Sequence, residues 1–220
     1  MQASYRTRTD SSTLRGVKGG SANLTCVKRY LWIGGAVAVV VILAIGITQI
    51  GGGTGSGAPK SAGGSCTARG GETGVAPAIA ALHREACRLL PGGPAAFKSR
   101  LASLHGHPVV VNKWASWCAP CRTEFPYFQR AERQLGARVA FVGVDSNDNR
   151  AAASKFLTQF PVQYPSYDDP SNTVAQVFNG VLASPTTAFY DPSGKLKYIH
   201  QGQYESAPKL ISDIHRYAMG

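Results

Sequence analysis

The sequence predicts an α/β sandwich around a mixed sheet, preceded by one transmembrane helix. Three observations carry that prediction. Strand-like and helix-like patterns alternate through the middle of the chain, and an antiparallel hairpin with a closing helix follows. The 20 residues from Leu31 to Ile50 contain no charge. A Cys-x-x-Cys pair, Cys118 and Cys121, stands between an apolar strand-like run and a helical pattern.

The elements follow in order. Ala78 to Leu90 reads as a helix, because Ile79, Leu82, Ala86 and Leu89 recur at three- and four-residue spacing. Pro94 opens a second helix that stops at Gly106. Val109–Trp114 is a buried strand, and a helix carrying the cysteines runs to about Leu135. Arg138–Val144 is a second buried strand, followed by a helix over Asn149–Phe160 with Ala152, Phe156 and Leu157 inward. Gln163–Tyr167 reads as a short strand, and Ser171–Asn179 as a short helix capped by Ser171 or Asn172. Thr186–Tyr190 and Leu196–Gln201 flank the turn Asp191-Pro192-Ser193-Gly194, and Glu205–Met219 closes as a helix.

Around this domain the chain divides by composition. Residues 1–30 hold Arg6, Arg8, Arg15, Lys18, Lys28 and Arg29 against Asp10, and they lack apolar periodicity, so a basic tail is expected. Residues 31–50 form a helix about 30 Å long, matched to a hydrocarbon core. Tyr30 and Trp32 sit at its interface, and Lys28 and Arg29 keep that side cytoplasmic, so the C-terminal part is exported. The run exceeds a signal-peptide core and no A-x-A follows directly, which favours a retained single-span anchor over a cleaved signal. Residues 51–65 are a Gly-rich flexible linker, and 66–220 hold the folded domain with a helical extension over 66–104. Of the net charge of +11, +5 sits in residues 1–30 and the other +6 is spread over 190 residues with no dense basic run, so nucleic acid is not an expected partner.

Cys118 falls at a helix N-terminus, where unpaired N–H groups and the positive end of the macrodipole stabilise a thiolate. Cys121 lies one turn further in and less exposed, so the outer sulfur attacks and the inner one resolves. No second Cys-x-x-Cys follows, and His105 and His107 precede the pair with a strand between, so no metal site is expected. Trp114 reads as core, Trp117 as rim, and Pro120 as a first-turn residue whose missing N–H is harmless. Cys66 and Cys87, on the exported side, are expected to form a structural disulfide across a loop of about 22 residues, worth roughly 3 kcal/mol in the entropic account.

The pairing of Trp117-Cys118-Ala119-Pro120-Cys121 after a strand with Ser184-Pro185-Thr186-Thr187 before another resembles the thioredoxin superfamily. That resemblance implies a three-layer α/β/α sandwich in which Pro185 is cis and lies against the disulfide. Ser184 and Pro185 would then pair with an extended substrate segment. The stretch VVVNKWASWCAPCRTEFP, with Glu124 and Pro126, is similar to the TlpA/ResA-like membrane-anchored thiol–disulfide oxidoreductases over about residues 105–218. This implies exchange with protein thiols and disulfides, a reductant role such as cytochrome c maturation, a membrane thiol electron donor and no cofactor. Asn112 stands where cytoplasmic thioredoxins have a buried aspartate, so the base for the inner thiol is unassigned; Glu124 is a candidate, expected instead as a solvated carboxylate. Lys113 replaces a usual aromatic, with Asp145 as its expected partner.

Two other classes compete. A peroxide-reducing redoxin needs a Thr or Ser one turn before a lone cysteine, which Trp114 through Trp117 do not supply convincingly. A copper-binding chaperone needs a histidine near Pro185, and none is there.

Overall fold

The computed structural model describes Cys66 and residues 73–220. The expected basic tail, transmembrane helix and linker lie outside the described residues. No helix among the described residues is long and apolar enough to cross a membrane. In chain order the elements are α1 (Pro77–Arg84), β1 (Leu89–Leu90), α2 (Gly93–Ser103), β2 (Val109–Trp114), α3 (Ala119–Leu135), β3 (Ala140–Ser146), α4 (Arg150–Gln159), β4 (Ser166–Asp169), α5 (Thr173–Gln176), β5 (Thr186–Tyr190), β6 (Leu196–Gln201) and α6 (Ala207–Asp213). A wide turn over Ile214–Ala218 extends α6.

Among the described residues, six strands form one sheet in the order β1-β4-β3-β2-β5-β6. The first four run parallel, while β5 and β6 are antiparallel to their neighbours. Because side chains alternate across a strand, each face of β2 feeds a different core. Val110 and Trp114 pack with Phe125 and Phe128 of α3, Phe156 and Leu157 of α4, and Leu210 of α6. Val109 and Val111 pack on the other face with Ile79, Leu82, Phe97, Val174 and Phe178. The result is the α/β/α layering expected of a thioredoxin-like domain.

The aromatic packing beneath α3 is dense. Trp114 stacks on Phe156 at 4.9 Å, and Phe125 meets both edge-on at 5.3 and 4.7 Å. Gly143 makes room for it. A Cβ there would collide with the Ser166 side chain and come within 3.1 Å of Trp114 Nε1, the indole that donates to Ser166 Oγ at 3.0 Å.

Several boundaries differ from the sequence reading. The first helix ends at Arg84, and Leu89–Leu90 form a strand instead. Cys87 takes a positive φ of 56°, its N–H donates to Val162 and Tyr164 carbonyls, and its sulfur joins Cys66, so the chain leaves the helix there. The strand expected at Gln163–Tyr167 begins only at Ser166, after Pro165, which has no N–H for a ladder. Ala153 points inward in α4, and Ala152 is exposed. The short helix spans Thr173–Gln176, and neither Ser171 nor Asn172 caps it. Asp169, at the end of β4, accepts from the amides of Thr173, Val174 and Ala175 and from Ser146 Oγ.

That carboxylate ties a strand end to a helix start while itself buried. Replacing Asp169 with Ala is expected to cost about 2–4 kcal/mol in urea unfolding, since several buried donors lose their acceptor. Replacing Ser171 with Ala should change stability by less than about 0.5 kcal/mol.

Candidate active site

Strand β2 delivers the chain to the cysteine turn, and α3 begins immediately after it. Cys118 is the N-cap residue: its backbone is extended (φ −79°, ψ 105°), and its sulfur accepts from the Cys121 amide at 3.1 Å. The two sulfurs form a disulfide. Cys118 is 2% exposed and Cys121 fully buried, so the small solvent window belongs to the outer sulfur. Ala119 and Pro120 form the exposed first turn, where proline costs no hydrogen bond. The helix continues through Pro126.

The loop before Cys118 is held by the β3–α4 connection. Asp148 accepts from both the amide and the hydroxyl of Ser116, the latter at 3.0 Å. Trp117 is 62% exposed, and its indole donates to Asn147 O at 2.9 Å. Arg122 lies over the Phe156 and Phe160 rings at 5.2 and 5.5 Å and donates to Ser116 O. Asp148 and Asn147 were not selected from sequence, because a polar loop after a strand gives no sign of which side chain it will hold.

The Ser184–Pro185 peptide bond is cis. Lys113 pairs with Thr186 across β2 and β5, so this proline and the cysteine turn emerge at the same end of the sheet. Pro185 is buried, its carbonyl accepts from Gly202 N, and Thr186 Oγ1 donates to Ala183 O at 2.8 Å. Val181 and Leu182 stand exposed just before it, at 39% and 81%.

Two expectations are corrected here. Lys113 does not pair with Asp145. The register sets Lys113 opposite Val144 and Trp114 opposite Asp145, so the lysine and the aspartate point to opposite faces. The fully buried Lys113 ammonium instead donates to Ala183 O at 2.9 Å; burial lowers its pKa, with Asp169 acting in the other direction. Asp145 is also buried, and burial together with Asp148, Asp168 and Asp169 pushes its carboxyl up to about 9.

Glu124 is not a solvated carboxylate. It lies one turn after Cys121 on the inward face of α3 and is fully buried. Oε2 accepts from the Tyr204 amide at 3.1 Å, while Oε1 has no partner among the described residues. Burial pushes its carboxyl up to about 8, partly offset by that amide. Asn112 is buried on the same face. Cys66 and Cys87 are joined to each other by a disulfide that anchors the segment before β1. Among the described residues no cluster of three or more histidine, cysteine or acidic side chains could hold a metal ion.

The AhpC/TSA family matches residues 94–199. Among curated proteins, the chain is 31% identical over 106 residues to the thiol-disulfide oxidoreductase ResA of Oceanobacillus iheyensis, covering 47% of this chain and 54% of that one. It is 39% identical over 94 residues to the thiol:disulfide interchange protein DsbE homolog of Paracoccus denitrificans, covering 42% and 50%. The chain thus spans about half the length of the curated relatives it matches. A solved DsbF homologue from Corynebacterium diphtheriae is 30% identical, with a TM-score of 0.44 over 53% of this chain and 75% of that one.

The buried Glu124 carboxyl has a consequence for stability. Its folded pKa, about 8, exceeds the ordinary 4.5, so the folded chain holds a proton that the unfolded chain releases. Its contribution is therefore present below about pH 4.5 and lost as pH rises through about 8. Glu124→Gln should leave acid-side stability near that of the parent. It should become the more stable of the two by roughly 1 kcal/mol per pH unit across that window, measured by urea unfolding at several pH values.

Proposed function

We propose that this chain, whose residues 94–199 match the AhpC/TSA family and whose sequence is similar to ResA and DsbE thiol–disulfide oxidoreductases, exchanges disulfides with protein substrates as a membrane-anchored reductant. The observation that carries the reading is the Cys118–Cys121 disulfide at the start of α3, with its inner sulfur buried and a buried carboxyl one turn beyond.

In the reduced protein the Cys118 thiolate, at the N-terminus of a 17-residue helix, attacks one sulfur of a substrate disulfide. The other substrate sulfur leaves as a thiolate and takes a proton from solvent, and a mixed disulfide remains on Cys118. Glu124, after releasing its own proton towards solvent, accepts the proton of Cys121, whose sulfur attacks Cys118 Sγ. The second substrate sulfur departs, and the Cys118–Cys121 disulfide forms. Trp117, Leu182, Ser184 and Pro185 present an apolar rim and an extended backbone on which a substrate segment can lie. A membrane thiol donor returns the pair to the dithiol. A small exposure of Cys118 suits this use, since attack needs access to one sulfur alone.

The anchor and the extracytoplasmic placement rest on the uncharged Leu31–Ile50 run behind Lys28 and Arg29. The Cys66–Cys87 bridge supports an oxidising compartment. A membrane-impermeant thiol reagent applied to intact cells should label reduced Cys118 but leave Cys26, in the basic tail expected on the cytoplasmic side, unmodified; the reverse pattern would place the domain inside.

Cys118→Ser is expected to lower insulin reduction by roughly a hundredfold or more, and Cys121→Ala to accumulate a substrate adduct on Cys118 that reductant releases. Full activity in Cys118→Ser would overturn the proposed exchange.

A further inference from the structure

Behind the disulfide lies an enclosure of polar groups that, Glu124 apart, the exchange steps above leave unused. On the α3 face of the sheet, Asn112, Thr187 and His200 stand directly opposite one another across β2, β5 and β6. Asn112 and Thr187 are buried, while His200, on the edge strand, is half-buried with its Nε2 inside. Around this row the contacts close into a ring. The His200 ring stacks on Tyr204 at 4.0 Å, and the Tyr204 amide donates to Glu124 Oε2. The Tyr164 hydroxyl feels both the Glu124 charge and the Asn112 side chain, yet it makes no hydrogen bond of good geometry with either.

Six buried polar atoms of this ring make no hydrogen bond of good geometry among the described residues: Asn112 Oδ1 and Nδ2, Glu124 Oε1, Tyr164 Oη, Thr187 Oγ1 and His200 Nε2. Leaving a buried polar group unpaired is costly, so a lone exception is tolerable and a convergent set is not. Donors and acceptors that face one another at more than contact distance are satisfied by ordered water, which needs two to four polar partners. This enclosure offers them, whereas the Phe125, Phe156 and Trp114 packing beside it offers none.

We propose that the enclosure is a hydrated proton relay connecting Glu124, and through it Cys121, with His200 at the edge of the sheet. The inference rests on the exchange reaction above and supplies the proton route that the reaction requires. When a thiol donor attacks Cys118 Sγ, the Cys118–Cys121 bond breaks and Cys121 leaves as a thiolate carrying the electron pair. The Glu124 carboxyl gives its proton to that sulfur. The resulting carboxylate regains a proton from water held by Asn112 and Thr187, which His200 resupplies from solvent. When Cys121 later attacks the mixed disulfide, the same proton travels outward.

Other ionisable groups surround the relay and are held by partners of their own. Glu132, on the same helix as Glu124, lies 3.7 Å from His83 of α1. From α6, Asp213 accepts from the Tyr204 hydroxyl at 3.1 Å and from Lys209 at 2.7 Å. Tyr198 of β6 faces Tyr204 from the edge, stacked on Tyr217 at 4.1 Å. Each is engaged elsewhere, which leaves His200 as the titratable member of the ring that reaches the surface.

The test follows reduction of the oxidised full-length chain by dithiothreitol from pH 5 to 10, for the parent, His200→Phe, Thr187→Val and the double variant. Phenylalanine keeps the stack on Tyr204, and valine keeps the shape of threonine. The expected result is a roughly tenfold slower reduction at neutral pH in each single variant, the double variant being no slower than either. The pH profile should be displaced, His200→Gln should stay as slow as His200→Phe because an amide cannot take up and pass on a proton, and iodoacetamide labelling of reduced Cys118 should stay at the parent value. Parent rates and an unmoved profile in folded His200→Phe and Thr187→Val would overturn the relay. Loss of Cys118 labelling along with the rate would also overturn it, by assigning the effect to the outer sulfur. Failure of the exchange reading itself would appear differently, as activity surviving Cys118→Ser.

Discussion

The structure turns on the junction between β2 and α3. A strand buried on both faces must end abruptly for a helix to start at its tip, and the residue at the join is Cys118. Its sulfur accepts the Cys121 amide, one of the four N–H groups that a helix start leaves without an internal partner. Capping chemistry and redox chemistry therefore use the same atom. The dipole that rewards an acceptor at this position also stabilises the thiolate that appears there on reduction.

Everything beneath the junction keeps it in place. Trp114 ends β2 inside an aromatic cluster with Phe125 and Phe156, so the strand and two helices share one packed block. Asp148 holds Ser116 from the neighbouring loop, and Lys113 reaches beneath the chain to the carbonyl just before the cis-proline segment. The cysteine turn and the Pro185 turn are thus linked through buried side chains as well as through strand register. Sulfur exchange needs two chains to meet in a narrow geometry, and a scaffold with little freedom at this edge reduces the ordering left for binding.

Buried polarity is the second theme. Lys113, Glu124, Asp145 and the Asn112–Thr187–His200 row are placed where apolar residues would be cheaper. They lie around or beneath the active edge, while the far ends of the same strands are filled with valine and phenylalanine. Such groups destabilise a fold unless hydrated or paired, and their concentration here fits the proposed uptake and release of protons at an edge closed to bulk solvent.

Much of this was legible in the residue order. The strand–cysteine–helix join, the α/β alternation, the hairpin at Asp191–Gly194 and the core position of Trp114 are local matters, fixed by periodicity, turn chemistry and the needs of a helix start. Pro185 was legible through resemblance, since a proline before a strand does not by itself announce a cis bond. What the order of residues concealed was long-range. Glu124 reads as an ordinary exposed acid at a helix start, and only the packing of residues 204–218 against α3 buries it. The wrong partner for Lys113 arose because adjacency in neighbouring strands does not say which face a side chain takes; register does. Asp169, and not Ser171 or Asn172, caps α5 because the strand end and helix start meet in space. The row Asn112, Thr187 and His200 lies scattered over almost ninety positions, and no periodicity links them. Local pattern determined which groups this protein carries and which elements hold them. Tertiary structure alone decided which of those groups lost their water, because burial and pairing are properties of distant segments brought together.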